Sequence, residues 1–300
     1  MMNKKDLKSR CIPYLLITPS VVLLLAIFGY PVIKVFSLSL QNYNFADFSN
    51  QGFIGLENFK TIFTEDDIIV DSLIFSFKWV AVEVGLQLVF GMILALILNT
   101  KFRGRGAVRA LTLIPWAVSG VLTTMLWMLI LNQSIGLVNQ IMIKLGTSPG
   151  DVPAWLASTK LIFPSLVVIE LWRGIPFFAI TLLAAMQGIP ADIYEACDID
   201  GAGKTAKFRY ITLPYLKETI VLTTLLRAIW EFNSTDMIFT LTNGGPVNMT
   251  TTLPIYMLKT AVVSGNYGYG SALGVIAFIV LFLFAAVYMK MSKFGGEEDE

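Results

Sequence analysis

Six long apolar stretches constrain this chain more than any other feature of its sequence. They occupy residues 13–40, 72–98, 108–131, 161–187, 216–239 and 271–289. Each is close to or above the roughly 20 apolar residues that an α-helix needs to cross a bilayer. A backbone inside lipid must satisfy its own hydrogen bonds, and separate apolar segments of this length do so as helices. The sequence therefore predicts an all-α integral membrane protein with six transmembrane helices.

Lysine and arginine in the connections between these stretches predict the orientation. Four basic clusters fall on alternate connections and therefore on one side of the membrane, which the positive-inside rule assigns to the cytoplasm. The clusters are Lys4, Lys5, Lys8 and Arg10; Lys101, Arg103, Arg105 and Arg109; Lys204, Lys207, Arg209 and Lys217; and Lys290 and Lys293. Both termini and the connection at 189–214 are expected in the cytoplasm.

This orientation divides the chain into four parts. Residues 1–12 form a cytoplasmic tail, 13–40 the first transmembrane helix, 72–292 a core transmembrane domain and 293–300 an acidic cytoplasmic tail. The first apolar stretch is too long for a secretory signal and lacks a small-residue cleavage site, so it is expected to remain as a span. Turn signals surround an apolar segment at 250–263, which predicts a re-entrant or surface-lying element.

The composition limits the partners and the kinds of site that this chain is expected to have. The net charge is +1 and no long basic run is present, so a nucleic-acid partner is not expected. The chain has no histidine, the usual neutral-pH proton carrier and a common metal ligand. Its two cysteines, Cys11 and Cys197, both fall on the predicted cytoplasmic side, which argues against a disulfide. We expect no metal site and no cofactor.

The connection at 189–214 carries both charge and helical patterning. Pro190 suits the first position of a helix, and Gly201 stands where a helix would end in a left-handed residue. Lys204–Tyr210 forms a second short helix in this interpretation, and Pro214 begins the next long one. The pattern predicts two short cytoplasmic helices joined at a glycine elbow between the fourth and fifth spans.

These residues resemble the permease subunits of binding-protein-dependent ABC importers. The cytoplasmic signature of that family runs Glu-Ala-Ala, three residues, Gly, nine residues, Ile-x-Leu-Pro, with a cysteine here in place of the second alanine. In this chain it comprises Glu195, Ala196, Cys197, Gly201, Ile211, Leu213 and Pro214. The resemblance implies that the residues that couple the permease to an ATPase are Glu195, Ala196, Cys197, Asp198, Gly201 and Ala202.

Weaker motifs resemble the carbohydrate-uptake branch of the family, the maltose and glycerol-phosphate type. They are Pro115-Trp116, Gly136 to Asn139, Trp172 with Pro176-Phe177, and Asp236 with the turn from Thr242 to Pro246. The resemblance implies a transmembrane subunit of an ATP-driven carbohydrate importer in the cytoplasmic membrane of a prokaryote. Its partners would be a second permease subunit, two cytoplasmic ATP-binding subunits, an extracytoplasmic solute-binding protein and membrane lipid. The chain itself would not be an enzyme.

Four other interpretations fit the sequence less well. A secondary transporter driven by an ion gradient usually carries two structural halves and intramembrane ionisable relays, and no internal repeat is found here. A phosphate-binding loop at Gly201 to Thr205 would need a glycine where Asp198 stands. A solvated loop would not need the spacing from Glu195 to Pro214. No nucleophile and base pair supports a membrane enzyme.

Polar groups inside the spans are few and paired by helical spacing. Glu83 and Gln87, Glu170 and Arg173, and Arg227 and Glu231 each share one helical face, and neutral packing is the favoured interpretation for Glu83 and Glu170. A sugar needs hydrogen-bonding partners and aromatic surfaces along its path. Candidate pathway residues are Trp172, Phe177, Arg227, Trp230, Glu231, Asn233 and Asp236. For either tryptophan alone, an interfacial or packing role is slightly favoured over solute contact.

Overall fold

The computed structural model of the chain describes residues 4–45 and 47–292. The predicted tail at 293–300 and residues 1–3 of the other tail lie outside the described residues. The described chain is mostly helical and has one antiparallel pair of short strands. The elements are α1 (Lys4–Leu24), α2 (Tyr30–Ser39), β1 (Gln41–Asn44), β2 (Asp47–Phe53), α3 (Glu57–Thr64), α4 (Asp67–Asn99), α5 (Arg105–Ala117), α6 (Gly120–Ile130), α7 (Leu137–Lys144), α8 (Ile162–Gln187), α9 (Ala191–Ile199), α10 (Lys204–Lys207), α11 (Leu213–Asn233), α12 (Asp236–Thr242), α13 (Leu253–Leu258) and α14 (Tyr267–Met291).

The first of two compact units comprises Met1–Asp66 and Met257–Ile279. A π-helical turn at Leu25–Gly29 joins α1 to α2, so the helix continues to Ser39. The Asn58 side-chain amide of α3 donates to the carbonyl oxygens of Ser39, at 2.9 Å, and Gln41, at 3.0 Å. These bonds fix α3 to the point where the helix gives way to the strand pair.

The second unit comprises Asp67–Tyr256 and Val280–Glu300, and α4 packed on α8 is its centre. Two glycines allow the close approach of these helices. A Cβ atom at Gly91 would overlap the Phe178 side chain and lie 3.2 Å from the backbone nitrogen of Ala179, and one at Gly174 would overlap the Gln87 amide. Small residues are the usual way for membrane helices to pack this closely.

Four described helices are long and apolar enough to cross a membrane. They are Tyr14–Ser39, Asp67–Asn99, Ile162–Gln187 and Tyr267–Met291, which correspond to the predicted first, second, fourth and sixth spans. The predicted third span is not one straight helix. It is the pair α5 and α6, bent by 91°, because Val118 and Ser119 leave the helical conformation at ψ 140° and 134°. Counting the bent pair as one span gives five.

The fifth predicted span differs from a continuous apolar helix in two respects. The extended backbone of Ser234, at ψ 113°, separates α11 from α12. In addition, α11 carries four charged side chains, Lys217, Glu218, Arg227 and Glu231, and therefore does not meet the apolarity of a candidate span. Six spans with cytoplasmic ends remain a prediction for this chain.

The apolar segment predicted at 250–263 is a short helix. It consists of α13 and a π-helical turn at Lys259–Val263. Its first residues are buried, and the Leu253 backbone N–H donates to the Ser76 hydroxyl of α4 at 2.8 Å. The beginning of this segment is therefore anchored inside the protein.

Candidate functional site

The predicted glycine elbow is present as a well-defined helix end. The Ala202 N–H donates to the Cys197 carbonyl at 2.9 Å, and the Gly201 N–H donates to the Asp198 carbonyl at 3.2 Å. These two bonds form a Schellman motif, in which the residue after the helix takes a left-handed conformation. Gly201 does so, with φ +73°. A Cβ atom at Gly201 would meet nothing within 4 Å, so backbone conformation alone favours glycine there.

Two side-chain contacts fix the α9 helix against the chain that follows the elbow. Asp198 of α9 forms a salt bridge with Lys207 of α10. The hydroxyl groups of Tyr194 and Thr212 lie 2.9 Å apart and share a hydrogen bond. Thr212 is buried at the base of α11. The elbow is therefore braced on both sides of Gly201.

The second helix of the predicted pair is not separate from the fifth span, which corrects the sequence-based interpretation. The chain is helical without a break from Lys204 through α10, a π-helical turn at Phe208–Thr212 and α11. Pro214 has no N–H to donate and in a regular α-helix would crowd the carbonyl four residues earlier. The wider π turn, in which the Leu213 N–H donates to the Phe208 carbonyl, accommodates the proline without ending the helix.

The outer surface of the elbow mixes charge with one large apolar side chain. Glu195, Ala196 and Asp198 are exposed, whereas Cys197 and Ala202 are partly buried. Ile199, the last residue of α9, is 88% exposed. An isoleucine this exposed at a helix end suits contact with another protein, because its burial there would remove apolar area from water.

Five of the seven predicted pathway residues lie on α8, α11 and α12, and four of them are exposed. The Phe177 and Trp230 rings have centroids 5.4 Å apart, and Trp172 lies 6.1 Å from Trp127. Trp172 and Trp230 are 39% and 43% exposed. Asn233 and Asp236 are exposed at the end of α11 and the start of α12. We call Trp172, Phe177, Trp230, Asn233 and Asp236 the wall.

Arg227 and Glu231, the other two predicted pathway residues, lie elsewhere. They are 4% and 1% exposed and belong to a buried polar cluster that joins three helices. Arg227 of α11 donates through Nε to the Gln87 side-chain oxygen of α4 at 2.8 Å and through a terminal nitrogen to Glu170 of α8 at 2.8 Å. It also forms a salt bridge of 2.5 Å with Glu231 on its own helix.

The Gln87 side chain connects two acidic residues of this cluster. Its side-chain nitrogen lies 3.2 Å from both Glu83 on α4 and Glu231 on α11. Arg173 donates to Glu170 at 3.1 Å within α8. Charged groups in a span are expected to pair with one another, and the cluster does so across helices and within them. We call Glu83, Gln87, Glu170, Arg227 and Glu231 the hub.

Comparison with known proteins identifies the class to which this architecture belongs. Residues 87–293 match the family described as the inner membrane component of binding-protein-dependent transport systems. The chain belongs to that family. The resemblance found at the elbow is therefore confirmed, and the permease is a multi-pass protein of the inner membrane.

Relatives of known role resemble the permease over almost its whole length. It is 34% identical over 297 residues to the trehalose/maltose transport system permease protein MalF of Thermococcus litoralis, covering 98% of each chain. It is 33% identical to the diacetylchitobiose uptake system permease protein DasB of Streptomyces coelicolor, covering 96% of this chain and 88% of that one. A solved bacterial alginate ABC transporter contains a chain with the same fold, at a TM-score of 0.83, 22% identity and 96% coverage of both chains.

Sequence reasoning missed two features of the permease. The partners of Arg227 on α4 and α8 could not be read from the spacing of residues along α11, which indicated only Glu231. The bond between Tyr194 and Thr212 had no local signal either, since 17 residues and the elbow separate them. The sequence did contain one signal for a contact surface at the elbow. Ile199 is an apolar residue directly after Asp198 at a predicted helix end.

Proposed function

We propose that this permease forms one half of the transmembrane pathway of an ATP-driven importer of a carbohydrate. Relatives of similar length support the solute class, since they are named for transport of trehalose and maltose, diacetylchitobiose, and sulfoquinovosyl glycerol. The complete importer would contain a second permease, two cytoplasmic ATP-binding subunits and an extracytoplasmic solute-binding protein. Membership of the family disfavours a secondary transporter as the alternative.

ATP chemistry is assigned to the partner subunits. Residues 201–205 of the permease lack the glycine that a phosphate-binding loop requires, because Asp198 stands in its place. The residues before Gly201 form the α9 helix, whereas a phosphate-binding loop follows a strand. The permease then receives the energy of ATP hydrolysis by contact, and the elbow is the surface proposed for it.

The braced elbow is the observation that carries this proposal. A rigid helix end transmits a displacement that a floppy loop would absorb. Here the Schellman motif and the contacts of Asp198 and Tyr194 hold α9 to a helix that continues to Asn233. Glu195 would pair with a basic group of the ATPase subunit, and Ile199 would enter an apolar groove on it. Gly201 follows both residues and supplies the sharp turn between α9 and α10.

The wall is proposed to contact the solute. A sugar offers hydroxyl groups and an apolar ring face, and the wall combines the Trp230, Phe177 and Trp172 rings with Asn233 and Asp236. Trp230 and Asn233 lie on α11, into which the chain continues as helix from Lys204 after the elbow. Arg227 and Glu231 would support the wall from the buried side of α11 and would not contact the solute themselves.

Uptake by the reconstituted importer tests the function. Proteoliposomes that contain the permease, its second permease, the ATPase subunits and the solute-binding protein are loaded with ATP and given radiolabelled trehalose, maltose or chitobiose. We expect uptake of one of these that depends on internal ATP and persists when ionophores collapse ion gradients. Uptake that follows an ion gradient and ignores ATP would overturn the proposal.

A charge reversal tests the docking role of the elbow in the same system. Glu195→Lys should yield a membrane-inserted permease that loses its ATPase subunits on purification or retains them without uptake. Lys204→Glu, on the other side of the elbow and outside the signature, is the matched control and should keep most of the activity. Normal assembly and uptake in Glu195→Lys would assign the docking contact to another surface.

A further inference from the structure

The hub connects α11 to the closely packed pair of helices α4 and α8. Within the pair, α4 and α8 meet at Gly91 and Gly174, where no side chain larger than hydrogen fits. The helix α11 reaches the pair in its C-terminal half through Arg227, which contacts Gln87 of α4 and Glu170 of α8 with one guanidinium. Apolar side chains of α11, among them Leu216 and Ala228, also pack against the pair, and Arg227 adds the polar contacts that can exchange partners.

Position along α11 places the hub between the elbow and the wall. From Lys204 to Arg227 the chain is helical without a break, a distance of about 35 Å at 1.5 Å per residue. Trp230 of the wall comes one turn beyond Arg227, and Asn233 follows where the helix ends. A displacement of the elbow along or across this helix must move Arg227 relative to its partners on α4 and α8.

The hub contains more acceptors than its donors occupy. Among the described residues, Glu83 Oε1, Glu170 Oε2 and Glu231 Oε2 are buried and accept no hydrogen bond. These are the second oxygens of three carboxylates that surround the Arg227 and Gln87 side chains. Two of these oxygens belong to the Glu170 and Glu231 groups that Arg227 already binds, so the guanidinium can change its contacts there without becoming unpaired in an apolar environment, where an unpaired charge is costly.

We propose that the hub is a latch with two positions, in which Arg227 holds α11 in the resting state and changes partners when the elbow moves. Bistable contacts of this kind are how a small displacement becomes a discrete switch. The latch would keep the importer from hydrolysing ATP until the solute-binding protein docks. This inference rests on the proposed function of the elbow, because the elbow is the element that would drive the exchange.

The test is ATP hydrolysis by the complete importer without its solute-binding protein, so that the identity of the solute does not matter. Arg227→Lys keeps the positive charge but replaces a planar fork by a single ammonium, which cannot span Gln87 and Glu170 in the same way. We expect hydrolysis without the binding protein to rise at least about 3-fold, and the further stimulation by the loaded binding protein to fall. Arg173→Lys is the matched control, because the hydrogen bond that Arg173 donates goes to Glu170 on its own helix and does not fasten α11 to the pair; its basal hydrolysis should stay as in the unaltered importer.

A second variant weakens the latch without removing the arginine. Glu170→Gln keeps the size of the side chain and should raise basal hydrolysis in the same direction as Arg227→Lys. Unchanged basal hydrolysis in an assembled Arg227→Lys importer would overturn the latch. Failure of both variants to assemble would also overturn it, since the hub would then be a permanent fastener of the fold. The elbow variant Glu195→Lys separates the two proposals: if it transports normally while Arg227→Lys hydrolyses ATP without control, the docking assignment fails, and the restraint by Arg227 holds but is released from another surface.

Discussion

The hydroxyl groups of Tyr194 and Thr212 meet at 2.9 Å across the elbow of this permease. Tyr194 lies in the middle of α9, and Thr212 is buried at the base of α11. The bond therefore connects the proposed docking helix to the base of α11, the helix that carries Trp230 and Asn233 of the wall. A partly buried hydrogen bond of this kind contributes about 0.5–1.5 kcal/mol.

Removing this hydroxyl should loosen the elbow without unfolding it. We expect Tyr194→Phe to lower the rate of solute uptake roughly 2- to 10-fold at an unchanged amount of bound ATPase subunit, because about 0.5–1.5 kcal/mol of bracing is lost. Tyr210→Phe is the control, since the Tyr210 side chain is 74% exposed. Equal uptake by the two variants would show that the bond has no part in coupling.

The activity of variants at Gly201 should depend on the backbone preference of the new residue and not on its size alone. At φ +73° with open space around the position, Gly201→Asn should retain most activity, because asparagine tolerates a left-handed conformation. Gly201→Val, which is β-branched, should lose ATPase binding or uptake. The measurement is co-purification of the ATPase subunits followed by uptake in proteoliposomes. Similar loss in both variants would contradict the backbone argument.

The Trp230 ring should matter through its aromatic face. We expect Trp230→Ala to weaken solute uptake about 3- to 10-fold, in line with the roughly 0.5–1.5 kcal/mol that an aromatic contact adds beyond its area. Trp230→Phe should recover much of the loss. Asn233→Ala should also lower uptake, because its side chain would no longer form a hydrogen bond with the solute. Each is measured as the concentration dependence of uptake in assembled importers. Unchanged uptake in Trp230→Ala and Asn233→Ala would favour a packing role for both side chains.

Stability should depend on the contact between Gly174 and Gln87. Gly174→Ala places a methyl group against the Gln87 amide and should destabilise the permease by about 1–3 kcal/mol, the usual cost of overpacking. Gly85→Ala on α4 is a matched control, because a Cβ atom there meets nothing within 4 Å and alanine favours the helix. Thermal unfolding of the purified proteins in one detergent compares them. A lower melting temperature for Gly85→Ala than for Gly174→Ala would refute this account of the α4–α8 contact.

The predicted orientation can be tested by labelling. In a permease whose Cys11 and Cys197 are replaced by serine, a cysteine at Gln51 should react with a membrane-impermeant thiol reagent added to intact cells. A cysteine at Lys204 should react only after the membrane is opened. Both side chains are exposed in the structure, so access to the reagent depends on the side of the membrane. The reverse pattern would invert the assigned topology.

Features that depend on neighbouring residues were predictable from the sequence. Four of the six predicted spans appear as single helices within a few residues of the expected bounds, because an apolar run of this length has few other stable conformations in lipid. Gly201 was expected at a left-handed position and takes one, since the end of a helix is decided by the few residues around it. The family signature lies in the same short segment.

Tertiary structure decided what depends on distant residues. The 91° bend between α5 and α6 and the uninterrupted helix from Lys204 through a π turn into α11 were not predicted from the apolar pattern. Arg227 shows the same limit most clearly. Helical spacing pairs it with Glu231, and it does bind that residue, but Gln87 lies 140 positions away and Glu170 57 positions away along the chain. Which charges meet inside the membrane is set by how three helices pack, because each buried charge must find a partner among whatever side chains the packing brings within reach.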